Sequence, residues 1–339
     1  MTIVAGLDIG GTKCAVLLGR VEGDGIETVE RVQFPTPETP DKAIKKMTDT
    51  LDDLIKSHQI SELASIGISC GGPLDSKRGV VLSPPNLPGW EHIEIVRMLE
   101  EQYCIPVALQ NDANAGAMAE WRWGAGKGTE NMIFLTFGTG MGAGLILNGQ
   151  LYSGTNDLAG EVGHIRLAEG GPVGFGKAGS FEGFCSGGGI ARLAAQMAEV
   201  AIQQGNPPGY CEDLESRKDI TAKKVGEAAQ AGDSLAQEVF SIVGFRLGRA
   251  LSTLIDILNP EKIVIGSIYG RQQEILEPVV LEEIAKEAIP LSVSVCEITP
   301  TGLGEKIGDY ASFSVALLAL EKAQKGKGAG SKSDGFINL

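Results

Sequence analysis

Apolar positions along the chain follow two alternating rhythms. Residues 2–8 (TIVAGLD) and 13–19 (KCAVLLG) are short runs of β-forming residues split by Ile9-Gly10-Gly11-Thr12. That pattern predicts a β-hairpin with glycines at its turn. Over residues 40–58, Ile44, Met47, Leu51, Leu54 and Ile55 recur at helical spacing and predict a helix. A strand at 64–70, a helix near 91–102, a strand at 105–110 and a helix from 113 follow. Strand alternating with helix indicates an α/β fold with a partly parallel sheet.

The opening pattern then recurs. Residues 131–137 and 143–149 predict a second hairpin around Gly138-Thr139-Gly140-Met141-Gly142, which suggests a duplicated α/β unit. A period of this length is too long for a solenoid. After a glycine-rich middle at 160–189, helices are expected at 187–203, 223–231 and 233–258, a strand at 262–266, a helix at 272–287, a strand at 293–298 and a last helix at 308–323. The low-complexity stretch from Lys325 reads as a flexible tail.

Length and charge narrow the classes. The 339 residues suffice for two domains or one large one, and their 47 glycines are about twice the usual share. Lys plus Arg number 29 against 43 Asp plus Glu, a net charge of −14. Such a balance argues against nucleic acid or an anionic membrane as partner, since both need concentrated basic charge. Six scattered cysteines without a CxxC pair fit reduced thiols. With no signal peptide and no long apolar stretch, the expected location is the cytoplasm.

Three segments can carry chemistry. Asp8 ends a buried strand just before Gly10, Gly11, Thr12 and Lys13. Amides in such a turn can hold phosphate oxygens, Thr12 and Lys13 add donors, and Asp8 can hold hydrated Mg²⁺; the same residues also suit an ordinary hairpin turn. Gly138, Gly140, Gly142 and Gly144 strip side chains from one face of the second hairpin, as close approach of a ligand requires. Neither turn is a Walker loop, and no G-x-G-x-x-G fits. The second segment, Gln110-Asn111-Asp112-Ala113-Asn114, lies where a strand passes into a helix. Asp112 there is either a general base or, with Asn111, part of a helix cap. The third is Gly160-Glu161-Val162-Gly163-His164, followed by Glu182. Glu161 and His164, one of only three histidines, can bind adjacent sugar hydroxyls or serve structure, and their surroundings make a poor zinc site.

Together these motifs resemble the ROK family of sugar kinases and repressors along residues 3–323. Gly6-Leu7-Asp8-Ile9-Gly10-Gly11-Thr12-Lys13 and Gly138-Thr139-Gly140-Met141-Gly142 are similar to its two phosphate motifs, and Asn111-Asp112-Ala113-Asn114 to its catalytic segment. Pro84-Pro85-Asn86-Leu87-Pro88-Gly89-Trp90 resembles its sugar-pocket segment, Gly160 to His164 its signature, and the segment from Asn259 to Gly266 its strand toward the adenosine site. The resemblance implies an actin-like ATPase (ribonuclease H-like) fold, two duplicated α/β lobes around a cleft. The small lobe would comprise residues 1–113 plus 307–324 and the large lobe 114–306, with 325–339 a tail. It implies ATP and Mg²⁺ as cofactors, with Mg²⁺ on Asp8 through water, and a homodimer formed through the large lobe. It makes Asp112 the base, assigns phosphate contacts to Gly10, Gly11, Thr12, Lys13, Gly138, Thr139, Gly140 and Gly266, and assigns sugar contacts to Gly72, Asn86, Asn111, Asp112, Glu161, His164 and Glu182.

Two departures stand out. The cysteines of the family's zinc motif are replaced by Val173, Phe175 and Ser180, so no structural zinc is expected, and apolar packing by Val173 and Phe175 is expected to hold that loop. Gly266-Ser267-Ile268-Tyr269 shortens the glycine run near the adenosine site. The resemblance points to a glucokinase-like hexose kinase acting at the 6-hydroxyl. An N-acetylmannosamine, N-acetylglucosamine or fructose kinase is the alternative, and a non-catalytic sugar sensor the non-enzyme one. Repressors of the family carry a helix-turn-helix module before the first phosphate motif; that motif begins here by Gly6, which disfavours a repressor.

Overall fold

The computed structural model of the chain describes residues 2–330. The chain starts with β1 (Thr2–Ile9), β2 (Lys13–Glu22), β3 (Gly25–Pro35), α1 (Pro40–Ser57) and β4 (Ser65–Cys70). A small ribbon of β5 (Leu74–Asp75) and β6 (Val80–Val81), then α2 (Ile95–Tyr103), β7 (Val107–Asn111) and α3 (Asp112–Trp123), follow. The second half opens with β8 (Met132–Phe137), β9 (Met141–Leu147) and β10 (Gln150–Tyr152), then a ribbon of β11 (Val173–Gly174) and β12 (Lys177–Ala178). Helices α4 (Phe181–Phe184), α5 (Gly187–Gln203), α6 (Ala222–Gln230) and α7 (Ser234–Leu258) lead to β13 (Lys262–Ile265). The chain closes with α8 (Ile268–Arg271), α9 (Gln273–Glu287), α10 (Pro290–Val293), β14 (Glu297–Pro300) and α11 (Ile307–Gly330).

These elements form two five-stranded sheets of the same design, ordered β3-β2-β1-β4-β7 and β10-β9-β8-β13-β14. In each, the first strand is central. On one side its hairpin partner pairs antiparallel to it and the third strand pairs antiparallel to that partner, and on the other the two later strands lie parallel. The duplication expected from the two hairpins is therefore a duplication of topology. The described chain divides into two compact units: one of residues through Gly124, Ser153–Leu158 and residues from Glu305, the other of Ala125–Tyr152 and Ala159–Gly304. The first boundary thus falls after α3 rather than at residue 113, because α3 packs on α11 and stays with the first sheet.

In the first unit, strand alternation sorts the core. Ile3, Ala5, Leu7 and Ile9 of β1 pack with Cys14, Val16 and Leu18 of β2 and with Met47, Leu51 and Leu99 of α1 and α2. Val4, Ala15 and Leu17, pointing the other way, pack with Phe313 and Ala316 of α11. Helix α11 lies directly on the sheet: a Cβ on Gly67 would come within 2.0 Å of the Ala316 nitrogen, so only glycine fits beneath it. Helix α1 begins as its sequence dictates, with Thr39 accepting from the Lys42 N–H and Pro40 in the first turn. The segment Ser153–Leu158 is pinned to this unit by Asp157, whose carboxylate accepts from the Ser76 N–H (2.7 Å) and hydroxyl (2.8 Å). In the second unit, α7 supplies Val239, Phe240, Val243, Leu247 and Leu251 to a core shared with α5, α6 and α9.

Three expectations shift. Strand β3 has no counterpart in the hydrophobic pattern, because it is an edge strand on which only Ile26 is buried. The strand expected at 293–298 starts at Glu297, since Pro290 opens the short helix α10 just before it. Helix α11 runs on to Gly330, past Lys325, where the flexible tail was expected; the remainder of that tail lies outside the described residues.

Candidate active site

In the first unit, parallel strands β1, β4 and β7 end at one edge of the sheet, the place where open α/β sheets bind ligands. Asp8 pairs with Ser69, which pairs with Gln110; one residue on, Ile9 pairs with Cys70 and Cys70 with Asn111. Asp8, the Gly10–Lys13 turn, Gly72 and Asn111-Asp112 are thereby gathered at this edge. The Gly10 N–H donates to the Lys13 carbonyl at 3.0 Å, closing the turn, so this amide is spent within the hairpin. Thr12 and Lys13 are exposed. Gly11 meets the loop that carries Asn86. A Cβ there would stand 2.5 Å from the Asn86 carbonyl oxygen, so the first turn and the 84–90 segment fit together only with glycine. Leu87 and Trp90, both buried, anchor that segment and leave the Asn86 side chain exposed.

The alternatives for Asn111 and Asp112 separate in the structure. Asn111 is the helix cap: its Oδ1 accepts from the Asn114 N–H at 2.8 Å. Asp112 is the first helical residue, and its Oδ1 accepts from the adjoining Ala113 N–H at 2.9 Å. Water reaches this carboxyl, yet crowding protein atoms push its pKa upward through lost hydration, against the Ala113 hydrogen bond. Asp8 is pushed up to about 7, first by lost hydration and then by the charges of Asp112 and Asp309, with Arg31 pulling the other way. Arg31 Nε donates to Asp309 Oδ1 at 2.8 Å. Asp309, from α11, is a neighbour that the sequence pattern did not single out.

In the second unit, Gly138, Thr139 and Gly140 form the turn between β8 and β9, with the Gly138 N–H on the Gly140 carbonyl at 3.2 Å and Thr139 exposed. The Gly187 N–H, opening α5, donates to the Gly138 carbonyl at 2.7 Å. Gly266 follows β13 with its N–H on Leu135, and the next residue, Ser267, has φ of +49°. The Ser267 hydroxyl accepts from Arg271 Nη2 at 2.6 Å, a contact with no signal in the sequence. Glu182, in the first turn of α4, accepts the Met141 N–H through Oε2 at 3.2 Å, which ties it to the glycine hairpin. Glu161 precedes a single 3-10 turn that His164 ends, and both are exposed, with the His164 ring edge-on to Phe175 at 5.9 Å.

The expected apolar packing of the zinc-motif loop is corrected. Val173 is 46% exposed and Phe175 71%, so neither anchors it. Polar contacts do so instead. Buried Ser180 caps α4 by accepting the Gly183 N–H at 3.0 Å, Lys177 Nζ donates to the His164 carbonyl at 2.6 Å, and the Gly179 N–H donates to the Pro172 carbonyl at 3.1 Å.

The ROK family model matches residues 4–317. A glucokinase of Halalkalibacterium halodurans is 33% identical over 309 residues, covering 89% of this chain and 91% of the relative. A solved ROK hexokinase from Thermus thermophilus superposes with a TM-score of 0.77 at 26% identity, over 95% of this chain and 100% of that one. A ROK family glucokinase from Streptomyces griseus, solved in complex with glucose and AMPPNP, superposes at 0.73 with 28% identity, over 93% and 99%. The fold common to them is that of the actin-like ATPases, and the match of both sequence and fold over nearly the whole length shows that the chain belongs to the ROK family.

Proposed function

We propose that the protein is an ATP-dependent sugar kinase that phosphorylates a hexose, glucose first, at its 6-hydroxyl. The observation that carries this reading is Asp112, which stands at the end of β7 relieved of capping by Asn111, with a carboxyl not committed to any ion pair. The glucokinase and hexokinase relatives support the same reading.

Asp112 accepts the proton of the 6-hydroxyl as that oxygen attacks the γ-phosphorus and ADP leaves; general-base catalysis contributes about 10²–10⁴-fold. The Gly10–Lys13 and Gly138–Gly140 turns, with Gly266, bind the phosphates, and Lys13 offsets their charge. Asp8 suits Mg²⁺ held through water, since it is a carboxylate short of counter-charge beside the phosphate turn. Among the described residues no three His, Cys, Asp or Glu form a group that could hold a metal ion. Mg²⁺, when bound, supplies charge neutralisation at the phosphates. Gly72, Asn86, Asn111, Glu161, His164 and Glu182 orient the sugar.

The reading carries a cytoplasmic location, to which six free cysteines are suited, and a homodimer formed through the second unit. The dimer is supported by exposed Ile257 and Leu291 on that unit; the Ile289 N–H on Asp256 keeps their segments adjacent. No helix among the described residues is long and apolar enough to cross a membrane. The test is ADP release with Mg·ATP against glucose, mannose, fructose, N-acetylglucosamine and N-acetylmannosamine, alongside Asp112→Asn. Turnover with one hexose, abolished by the substitution, establishes the kinase and its substrate. Binding without turnover establishes the sensor instead.

A further inference from the structure

Beneath Asn111 and Asp112 lie two buried amides. Gln110, the penultimate residue of β7, is 3% exposed, and Asn114, in the first turn of α3, is fully buried. Burying two amides beside an apolar core costs free energy that a leucine pair would not incur, so their hydrogen bonds have to serve some purpose. Gln110 Oε1 accepts twice, from Asn114 Nδ2 at 3.1 Å and from the backbone N–H of Asn111 at 3.3 Å. Asn114 in turn donates its own N–H to Asn111 Oδ1. Asn111 is thus held at its backbone by Gln110 and at its side chain by Asn114, in a closed ring immediately before Asp112.

The orientation of both amides is determined. Turning Asn114 over would set its oxygen against Gln110 Oε1, and turning Gln110 over as well would set an NH₂ group against the Asn111 N–H. With the amides so fixed, Asn114 Oδ1 is left buried without a partner. A buried unsatisfied acceptor is rare enough to require a reason. Here the reason is that the other half of the amide is committed to holding Gln110.

We infer that Gln110 is a positioning residue for the Asp112 base: with Asn114 it locks the Asn111 peptide, so that the chain leaves β7 in one direction and Asp112 and Asn111 face the sugar in fixed register. Gln110 touches neither sugar nor nucleotide; it acts through the strand end. The inference rests on the kinase reading, and the experiment separates the two.

Gln110→Leu keeps the volume, removes the acceptor and orphans both donors. Gln110→Glu keeps an acceptor oxygen for both donors and adds a negative charge. The ionisable groups around Asp112 are Asp8 on β1 and the Cys70 thiol on β4; Asp309 on α11 and Arg31 on β3 lie beyond Asp8. Only Arg31 is cationic, so an added carboxylate shifts Asp112 further upward. ADP release with saturating Mg·ATP and the preferred hexose is followed from pH 5.5 to 9 for wild type, both variants and Asp112→Asn, with a thermal melt of each to confirm folding. Gln110→Leu is expected to lower kcat about 10- to 100-fold with the KM for ATP unchanged, the scale of loss from a base displaced by about an ångström. Gln110→Glu is expected to recover most of the wild-type kcat at high pH, with its acid limb moved up by about half a unit or more. Asp112→Asn inactive while Gln110→Leu stays within threefold of wild type at every pH overturns this inference alone. So does a Gln110→Glu enzyme that is folded yet as impaired as Gln110→Leu throughout. Wild type inactive on every hexose, or Asp112→Asn as active as wild type, overturns the kinase reading and this inference with it.

Discussion

The two sheets share one strand order and put their hairpin turns at equivalent places, yet they present different chemistry at their strand ends. The first unit gathers carboxylates, with Asp8 near the end of β1, Asp112 after β7 and Asp309 from α11, and Arg31 opposing their charge. The second gathers glycines and neutral donors: Gly138, Gly140, Gly266 and Ser267, with Glu182 already engaged by the Met141 N–H. Duplication of a backbone therefore did not duplicate the chemistry at its strand ends. On the kinase reading both turns meet the phosphates, and only the first copy adds carboxylates for proton transfer and metal charge.

The sharpest break in this asymmetry is Asp112→Asn, which removes the base and is expected to lower kcat by about 10³-fold with little change in stability, as measured by steady-state ADP release and a melt. If Asp112 is the base it must be deprotonated to work, and since its pKa is raised, wild-type kcat should fall on acidification at a higher pH than an ordinary carboxylate would give. A profile flat down to pH 5 would contradict that assignment.

Asp8→Asn should be inactive yet more stable. A carboxyl raised to about 7 binds its proton more tightly in the folded chain than in the unfolded one. It therefore favours folding at low pH and loses that contribution as pH rises toward 7. Removing the charge should raise the Tm of the metal-free protein by about 2 °C or more at pH 8, with the gain shrinking toward pH 4. A lower Tm at pH 8 would show that Asp8 is well compensated in the free protein.

Two smaller effects test how each unit holds its loops. Asp157→Gly suits the left-handed backbone at this residue (φ +61°) but deletes two hydrogen bonds to Ser76, and should cost about 1.5–3 kcal/mol in urea unfolding. In the second unit, Ser180→Ala should cost about 1 kcal/mol as a lost cap, whereas Phe175→Ala should stay within about 0.5 kcal/mol. The reverse order for Ser180 and Phe175 would restore apolar packing as the anchor of that loop.

Much of this was legible in the chain, and the physical reason differs from element to element. Both hairpins announce themselves because β-branched runs flank glycine turns, and α1 because Ile44, Met47, Leu51 and Leu54 share a face. Strand β3 hides because Glu27, Glu30 and Arg31 on an edge carry no apolar alternation. At the site, strand-end residues could be placed, but Asn and Asp cap helices equally well, so only geometry assigns the cap to Asn111 and frees Asp112. Val173 and Phe175 look like core in a sequence, since an apolar side chain does not record which way it points. The Glu182 contact with Met141 spans 41 residues and leaves no local trace.

The placement of α11 also constrains biosynthesis. The first sheet's inner face, with Val4, Ala15 and Leu17, is closed by α11, a helix that follows the whole second unit in the chain. Every residue of the second unit is translated before that helix, so the first sheet waits for its cover until the second unit has been made. During that interval an apolar strand surface stands open in the nascent chain.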